Sequence, residues 1–458
     1  MSETRTMRWF PRRTRLVPLW TALIFFMGAG GMITGFTFFL SRPVEYTFFL
    51  PTEPKATGYV VSGSLTALEN SRFFEEAKAK LIAERASFIE SDLSAMTLRV
   101  YQDGAVVKEA SILSKGKEGS WWETPAGVYK IEAKEKKHFS SFGRVYMPWS
   151  LHFQGNFFIH GWPHYPNGTP VPQGYSGGCI RLSSDDAKEI YELAGRGMPV
   201  VVFEKDFGND GFVYEPKIAR IEAESYLVAD LRSNFVFAEK GSRDPYPIAS
   251  LSKLMTAVVA TEHVDIEKKI TIEEAALVQT LVPRVEAGER YSLYDLLHPL
   301  LIESSNEAAE AIAQSIGRSR FLELMNQKAV AIGMKETRFK DASGLDALDT
   351  SSAEDLFALA KYLYNNRRFI LNITSGKVND TVYGLPRFRH LQNFNVLVDH
   401  PDFVGGKVGE TIAAKQTGMA VLELDVGGAR RPVALILLGS KNIGEEATRI
   451  VRWLKDNY

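Results

Sequence analysis

The sequence predicts one membrane-spanning helix followed by two folded domains, the first mostly β and the second α/β with an antiparallel sheet and a helical subdomain. Three observations lead to this fold class. No charged residue occurs in segment 16–41, short alternating runs punctuated by glycines fill 95–206, and strand-like runs flank a helical body in 221–458. At 458 residues the chain is also too long for one ordinary core and suits two domains plus connecting segments.

The uncharged segment 16–41 is rich in Leu, Ile, Phe, Met and Gly, and it is long enough to span a bilayer as a helix. Only Glu3 opposes the arginines that precede it, which are Arg5, Arg8, Arg12, Arg13 and Arg15. The positive-inside rule therefore places the tail 1–15 in the cytoplasm and everything after the segment outside. We expect a single-pass protein of the inner cell membrane whose folded domains are extracytoplasmic.

The segment between the membrane helix and the first domain, 42–94, is predicted to be a connector that ends in an amphipathic helix from Asn70 to about Asp92. In 95–206, alternating runs predict strands and helical spacing appears only near the end. The expected strands are Leu98–Tyr101, Gly127–Ile131 and Pro199–Phe203, and the expected helix is Asp185–Ala194. Residues 207–220 are the expected linker to the second domain.

The second domain, 221–458, shows two strand-like runs, a long helical body, two further strands and a terminal helix. The expected strands are Ser225–Asp230, Asn234–Ala238, 417–424 and 432–438, and the expected helices are 250–263, 293–316, 319–332 and 443–456. This order favours an antiparallel sheet with a helical subdomain inserted between its strands.

Composition excludes several classes of function. The net charge of −1 gives no electrostatic footprint for nucleic acid. The single cysteine, Cys179, cannot form an intrachain disulfide, and one thiolate is too few for a structural zinc site. Because no phosphate-binding glycine loop or metal-ligand cluster is present either, we expect neither a cofactor nor a metal. Cys179 is then a buried spectator, an intermolecular bridge or a nucleophile.

The first candidate site combines an apolar run that ends in His160-Gly161 with the string Tyr175-Ser-Gly-Gly-Cys-Ile-Arg-Leu182. Small residues before a cysteine form a loop whose backbone can approach a substrate closely, and a neighbouring base such as His160 can activate the thiol. Arg181, two residues past the thiol, lies on the same side of an extended chain and can bind a carboxylate. Backbone N–H groups at Gly178 and Cys179 are candidates for an oxyanion hole.

These residues resemble the catalytic signature of the L,D-transpeptidases of peptidoglycan, and the string Glu123-Thr-Pro-Ala-Gly-Val-Tyr129 resembles the strand entry of that family. The resemblance covers roughly 95–205. It implies that Cys179 attacks the carbonyl between the third residue of a stem peptide and D-Ala at position four. His160 would activate the thiol, with Ser176, Gly178 and Arg181 binding substrate. Gly177 departs from the pattern, since the family often has a second histidine there.

The second candidate site has three elements in order: Ser250-x-x-Lys253 at the start of a helical run, Ser304-x-Asn306, and Gly406-Lys407-Val408-Gly409. A spacing of three places the serine hydroxyl and the lysine amine on one helical face. The helix N-terminus favours developing negative charge, and a desolvated lysine can act as a base. The first element alone is a weak signal, but the ordered set is a strong one.

The ordered set resembles the penicillin-binding proteins and serine β-lactamases, and the flanking strings look most like the D-alanyl-D-alanine carboxypeptidase family over about 221–458. The resemblance implies Ser250 as the acylated nucleophile, Lys253 as its base and Ser304 as a proton shuttle. It assigns substrate contacts to Asn306, Gly409 and Thr411, with the N–H groups of Ser250 and Thr411 as the oxyanion hole. Lys407 would orient Ser304 and the substrate carboxylate.

Val408 is the departure from this second family, which has threonine at that place. Valine keeps the shape but removes a hydroxyl that helps to hold the terminal carboxylate of D-Ala-D-Ala, a loss of about 1–2 kcal/mol when buried. The substitution therefore favours endopeptidase action on cross-links, where no free carboxylate is presented, over exocarboxypeptidase activity.

Together the two sites predict an enzyme that remodels peptidoglycan stem peptides and is inhibited covalently by β-lactams. A D,D-carboxypeptidase would produce the tetrapeptides that an L,D-transpeptidase uses as acyl donors. The alternatives are a Ser250 domain that acts as a D,D-endopeptidase, a Ser250 domain that has lost catalysis and only binds peptidoglycan, and a sensor of β-lactams or muropeptides. For Cys179 the alternative is a structural cysteine beside an unrelated histidine.

Overall fold

The computed structural model describes residues 73–204, 217, 219–377 and 383–458. The predicted tail 1–15 and membrane segment 16–41 lie outside these residues, as does most of the predicted linker 207–220. Within the described part of the chain, no helix is long and apolar enough to cross a bilayer. Both folded domains belong to one compact unit, Leu50–Tyr458.

The first domain is mostly β, as predicted. Its helices are α1 (Phe73–Ala83) and α2 (Ser184–Leu193), and its strands are β1 (Phe88–Asp92), β2 (Thr97–Gln102), β3 (Ala105–Ser111), β4 (Gly127–Lys130), β5 (Ala133–Ser140), β6 (Val145–Gln154), β7 (Phe157–His160), β8 (Ile180–Arg181) and β9 (Pro199–Phe203). One sheet has the order β3-β2-β1-β9-β4, and a second has the order β5-β6-β7-β8. The apolar faces of the two sheets share one core.

The helix predicted from Asn70 to about Asp92 is wrong in its second half. Helix α1 ends at Ala83, Arg85 takes the left-handed conformation at φ +52°, and Phe88–Asp92 form strand β1. This strand pairs antiparallel with β2 and parallel with β9, and all five of its residues are buried. A strand covered on both faces has no alternation, so its apolar residues imitate part of a helical stripe. The domain therefore begins before residue 95.

The second domain places a helical subdomain beside an antiparallel sheet, again as predicted. Its helices are α3 (Ser252–His263), α4 (Leu293–Ile302), α5 (Asn306–Gln314), α6 (Arg318–Ala331), α7 (Ala353–Asn366), α8 (Arg368–Thr374) and α9 (Ile443–Asn457). Its strands are β10 (Ser225–Asp230), β11 (Val236–Lys240), β12 (Tyr246–Pro247), β13 (Lys269–Thr271), β14 (Arg290–Ser292), β15 (Thr350–Ser351), β16 (Phe403–Thr411), β17 (Lys415–Val426) and β18 (Ala429–Ser440). The main sheet has the order β11-β10-β18-β17-β16.

The long helix predicted over 293–316 is two helices, α4 and α5. The chain turns at Glu303–Ser305 because Pro299 O accepts both Glu303 N–H and Ser305 N–H, and Ser305 Oγ then caps α5 by accepting Ala308 N–H at 3.1 Å. Ser304 sits at this break with φ +59°. The break projects Ser304 away from a regular helical surface.

Helix α3 is the centre of the second domain, since every residue from Ser252 to Glu262 is buried. The apolar core around it also includes Trp121 and Ala126 from the first domain. The two domains therefore share buried contacts through this core.

Candidate active sites

Strands β7 and β8 bring the groups of the first site together. They pair in parallel, with Ile159 opposite Ile180 and His160 opposite Arg181. Side chains alternate across a strand, so the two isoleucines point into the core while His160, Arg181 and the preceding Cys179 share the other face. The structure thus brings His160 onto the same sheet face as Cys179 and Arg181, although His160 lies far from both in the sequence.

The loop before Cys179 is shaped by its small residues. Ser176 Oγ donates to Cys179 O at 2.5 Å and accepts Gly178 N–H at 3.1 Å. Gly178 has φ +100°, and a Cβ there would collide with the Phe157 ring and lie 2.7 Å from Trp122 O. Ser176 and the Gly178 amide are therefore engaged within the loop, which leaves Cys179 N–H as the remaining oxyanion-hole candidate on this turn.

The resting Cys179–His160 pair is neutral. Burial lowers the pKa of His160 to about 4, against the opposing effect of the hydrogen bond to Gly161 O. Burial raises the pKa of the Cys179 thiol to about 11, against the opposing effects of Phe158 N–H and Arg181. His160 Nδ1 lies 2.6 Å from Gly161 O, so Nδ1 carries the proton and Nε2 is the basic nitrogen. No hydrogen bond joins the ring to the sulfur among the described residues, and the sulfur lies 4.0 Å from Asn156 O. The arrangement suits proton removal during attack and contains no preformed thiolate.

Alkylation of Cys179 by iodoacetamide is therefore expected to rise about tenfold per pH unit between pH 7 and pH 10, because only the thiolate reacts. The measurement is the second-order rate constant by intact mass, with Cys179→Ala as the blank and glutathione as the free-thiol reference. A rate that begins to level off near pH 9, as for an ordinary thiol with a pKa of about 8.5, would contradict the neutral pair.

Arg181 is a cation available to substrate. Its guanidinium lies 5.6 Å from the Trp162 ring, and no carboxylate of the described residues forms an ion pair with it. Its Nε is buried without a hydrogen-bond partner, and burial lowers its pKa. A half-buried guanidinium that forms no ion pair within the described residues is well placed, beside a nucleophile, to bind a substrate carboxylate.

The second nucleophile lies at the start of α3. Ser250 occupies a short 3-10 turn, Ala249–Leu251, and Lys253 Nζ lies 2.9 Å from Ser250 Oγ. The amine also donates to Ser343 O at 2.5 Å. Burial, and then the charge of Lys407, hold the pKa of Lys253 well below its usual value, against the opposing charge of Asp341. A neutral amine at this distance can take the hydroxyl proton.

Two glycines allow the backbone to close around Ser250. A Cβ at Gly409 would lie 2.5 Å from Ser250 N, and one at Gly344 would collide with Ala249 O. Ala249 itself takes a left-handed conformation at φ +48°. Strand β16 and the 343–344 loop therefore contact the turn that carries the nucleophile, and β16 is the edge strand of its sheet.

Ser304 lies in the α4–α5 break, and Asn306 is the first residue of α5. Ser304 Oγ is buried and has no hydrogen-bond partner among the described residues. Asn306 Nδ2 donates to Gln279 O at 2.6 Å, and Asn306 N–H donates to Thr280 Oγ1 at 3.2 Å. The orphaned hydroxyl of Ser304 is free for a proton or a substrate, whereas the Asn306 amide is already fixed by the 279–280 loop.

Lys407 is fully buried on β16, and burial lowers its pKa to about 7. Its Nζ donates to Val408 O at 2.9 Å, and no hydrogen bond joins it to Ser304 among the described residues. Thr411, at the end of the strand, uses its hydroxyl to accept Ala414 N–H at 3.1 Å. Lys407 therefore affects Lys253 through charge, and its expected contact with Ser304 is not made in this state.

Sequence reasoning missed the groups that support the nucleophiles. Ser343 O and the buried carboxylate of Asp341, which binds the N–H groups of the 343–346 loop, hold Lys253 in place. Thr124 Oγ1 donates to Gly178 O at 2.9 Å and accepts Gly116 N–H at 2.9 Å. The sequence strings that contain Asp341 and Thr124 were recognisable, but a supporting backbone carbonyl such as Ser343 O leaves no side-chain signature in a sequence.

Comparisons with known proteins follow the division into two domains. Residues 212–433 match the Peptidase_S11 family, D-alanyl-D-alanine carboxypeptidase, and residues 86–202 match the YkuD family, L,D-transpeptidase catalytic domain. Over 256 residues the chain is 31% identical to a D-alanyl-D-alanine endopeptidase of Pseudomonas aeruginosa, covering 52% of this chain and 79% of that protein.

Two further proteins are similar to part of the chain. A D-alanyl-D-alanine endopeptidase of Haemophilus influenzae is 38% identical over 148 residues, which is 31% of this chain and about half of that protein, 51%. The crystal structure of a D-alanyl-D-alanine carboxypeptidase from Mycobacterium tuberculosis has 26% identity and a TM-score of 0.46, covering 54% of this chain and 94% of that one. The chain belongs to the peptidase S11 family of D-alanyl-D-alanine carboxypeptidases, and its residues 86–202 match the L,D-transpeptidase catalytic domain of the YkuD family.

Proposed function

We propose that the chain is a bifunctional enzyme of peptidoglycan stem peptides, with a serine D,D-peptidase at Ser250 and an L,D-transpeptidase at Cys179. The observation that carries the proposal is that each nucleophile has its own base. Lys253 lies 2.9 Å from Ser250 Oγ, and His160 shares a sheet face with Cys179. The membership of the two segments in two peptidoglycan-processing families supports the same conclusion.

At the serine site, Ser250 Oγ attacks the carbonyl of the penultimate D-Ala while Lys253 removes its proton. The amine of the terminal D-Ala leaves with a proton relayed through the hydroxyl of Ser304, whose Oγ has no other partner. Water then hydrolyses the acyl-serine ester, with Lys253 again accepting the proton. The N–H groups of Ser250 and Thr411 are the proposed donors to the oxyanion.

At the cysteine site, Cys179 Sγ attacks the carbonyl between the third residue and D-Ala at position four as His160 Nε2 takes the thiol proton. The imidazolium gives that proton to the departing D-Ala amine, leaving a thioester. The amine of a second stem then attacks the thioester, loses a proton to His160 and regenerates the thiol. Arg181, unpaired beside the thiol, binds a carboxylate of the donor stem.

The two activities act in sequence on one substrate. Trimming of a pentapeptide at Ser250 yields the tetrapeptide that Cys179 uses as its acyl donor, and a shared chain raises the local concentration of that product. The test gives the full chain in detergent two substrates separately. D-Ala release from a pentapeptide must depend on Ser250, and exchange of a labelled D-amino acid into a tetrapeptide must depend on Cys179. Loss of both activities in either single alanine variant would contradict two separate nucleophiles.

D,D-endopeptidase action at Ser250 is a second candidate, favoured by Val408 on the strand that faces the nucleophile. The two relatives named above are called endopeptidases, which supports it. A cross-linked stem presents an amide where a carboxypeptidase substrate presents a free carboxylate, so the missing threonine hydroxyl matters less there.

Val408→Thr is expected to raise kcat/KM for the free-carboxylate pentapeptide about 3- to 10-fold, because one hydrogen bond contributes about 0.5–1.5 kcal/mol. The rate on a cross-linked dimer should stay within about twofold. Val404→Thr, four residues earlier on β16, is the matched control. An equal gain on both substrates, or none on the pentapeptide, would remove Val408 as the determinant of this choice.

We also propose that segment 16–41 anchors the enzyme in the inner membrane with both sites outside the cytoplasm. The charge pattern around the segment supports this orientation. In cells, the full chain should stay with membranes after alkaline carbonate washing and be digested by protease added to spheroplasts. Release by carbonate, or protection from the protease, would contradict the anchoring or its orientation.

A further inference from the structure

A cluster of buried charged and phenolic side chains lies where the two domains meet, and neither reaction uses it. Glu262, at the end of α3 farther from Ser250, forms ion pairs with Lys328 at 2.9 Å and with Arg367 at 3.0 Å. Tyr362 donates to the same carboxylate at 2.5 Å, and Lys328 donates to Tyr129 of the first domain at 2.8 Å. The charged side chains are fully buried.

The charges in this cluster are fixed by one another. Burial alone would raise the pKa of Glu262, but Lys328 and Arg367 lower it to about 2. Burial lowers the pKa of Lys328 to about 8, with Glu262 opposing. One carboxylate therefore holds two cations, and removing Glu262 would leave both buried cations without their partner.

Arg367 connects the cluster to the loop that carries Cys179. Its Nη1 donates to Glu123 O at 2.9 Å. The next residue, Thr124, donates from Oγ1 to Gly178 O at 2.9 Å. Gly178 precedes the nucleophile and leaves no room for a Cβ between Trp122 O and Phe157. The Arg367 guanidinium of the second domain thus fixes the segment Glu123-Thr124, which in turn binds the loop that carries Cys179.

Glu262 makes a second, separate connection through its main-chain carbonyl and its side chain. Its carbonyl oxygen accepts Asn156 N–H at 3.0 Å, and its Oε2 accepts Gln154 Nε2 at 2.9 Å. Gly155 has φ +49°, and a Cβ there would collide with Glu262 O, so the turn between β6 and β7 is seated tightly on the end of α3. Asn156 O is the atom that lies 4.0 Å from the Cys179 sulfur.

We propose that Arg367 and Glu262 of the serine-peptidase domain are positioning residues for Cys179, so that the transpeptidase site is complete only when the second domain is docked on it. The inference rests on the proposed transpeptidase activity. One series of contacts leads from Arg367 to Gly178 O, and a separate one leads from Glu262 to Asn156 O beside the Cys179 sulfur. Supporting groups of this kind hold reacting atoms to within about 0.5 Å. The same helix, α3, carries Lys253 in its first turn and Glu262 near its last residue, which makes it a rigid spacer between the sites.

The test substitutes Arg367→Met in the full chain and uses Arg431→Met as its matched control. Arg431 is also buried and is ion-paired to Asp230, and both residues lie on strands of the main sheet of the second domain, β18 and β10. Arg367→Met is expected to lower kcat for D-amino-acid exchange at least tenfold with KM changed less than about threefold, which is the pattern for lost positioning. Acylation of Ser250 by a fluorescent penicillin should stay within about twofold.

Alkylation of Cys179 separates this inference from the activity on which it rests. If the wild-type chain shows no exchange, Arg367→Met should still speed iodoacetamide alkylation at least fivefold, because the loop that buries the thiol is released. Arg367→Lys keeps the charge, so its exchange and alkylation rates should lie between those of Arg367→Met and the wild type. It is also the variant to use if Arg367→Met does not fold. Unchanged exchange and unchanged alkylation in Arg367→Met, or an equal loss in Arg431→Met, would overturn the proposal.

Discussion

Replacing Lys253 with methionine is expected to lower the rate of Ser250 acylation by a penicillin about 100- to 10,000-fold, the range for loss of a positioned general base. The amine lies 2.9 Å from Ser250 Oγ, and burial holds its pKa well below the usual value, so it is the group that can accept the hydroxyl proton. Methionine has a similar volume and no charge, so the buried site keeps its packing. The measurement is the second-order acylation rate by intact mass.

Lys340→Met is the matched control for this substitution, because Lys340 is exposed and lies on the segment that leads into the 343–344 loop. Its acylation rate should equal that of the wild type, and both variants should unfold at a similar temperature. Acylation by Lys253→Met within about tenfold of the wild type would mean that another group, such as Lys407, activates the serine.

Replacing His160 with glutamine is expected to lower kcat for D-amino-acid exchange about 100- to 10,000-fold with little change in KM. His160 is neutral because burial lowers its pKa to about 4, and its Nδ1–H is held by Gly161 O, so Nε2 can accept the thiol proton. Glutamine preserves polarity but offers no comparable base. With the thiol pKa raised to about 11, thiolate formation cannot replace the missing base near neutral pH.

His164→Gln is the control for the histidine, since His164 lies four residues later, is half-buried and has its Nδ1 3.0 Å from Tyr165 O. Exchange by this variant should match the wild type. If His160→Gln retained more than a tenth of the wild-type kcat while His164→Gln lost activity, the base would have been assigned to the wrong histidine.

The chemistry of both sites was predictable because each string is local. A spacing of three between Ser250 and Lys253 gives one helical face, and the structure places their side chains within hydrogen-bond distance. Cys179 and Arg181 are two residues apart in an extended segment, so their side chains share one face. Placing His160 beside Cys179 depends on the pairing of β7 with β8, which no local sequence pattern encodes. The position of His160 at the end of an apolar run was the signal that suggested it.

The errors have physical reasons. Helical periodicity continues through Glu303–Ser305, and only the capping contacts of Pro299 and Ser305 show that the chain breaks at Ser304. Strand β1 is buried on both faces, so its apolar residues extend the stripe of α1 without marking a change of structure. In each case a tertiary contact overrides a local pattern.

The domain-crossing cluster could not be predicted from the sequence. Glu262, Lys328 and Arg367 lie in or beside helices where charged residues ordinarily face solvent. Their burial depends on the first domain covering that surface, and no spacing in the sequence indicates this. The membrane segment 16–41 and its orientation stay predictions, since they lie outside the described residues.

The most direct measurement uses the full chain in detergent with a purified disaccharide-pentapeptide, followed over time by mass spectrometry beside Ser250→Ala and Cys179→Ala. We expect loss of one D-Ala first and cross-linked dimers afterwards. Ser250→Ala should stop both steps and regain dimers when tetrapeptide is supplied, whereas Cys179→Ala should stop at the tetrapeptide. Dimers formed from pentapeptide by Ser250→Ala, or tetrapeptide left unused by the wild type, would contradict two nucleophiles acting in sequence on one stem.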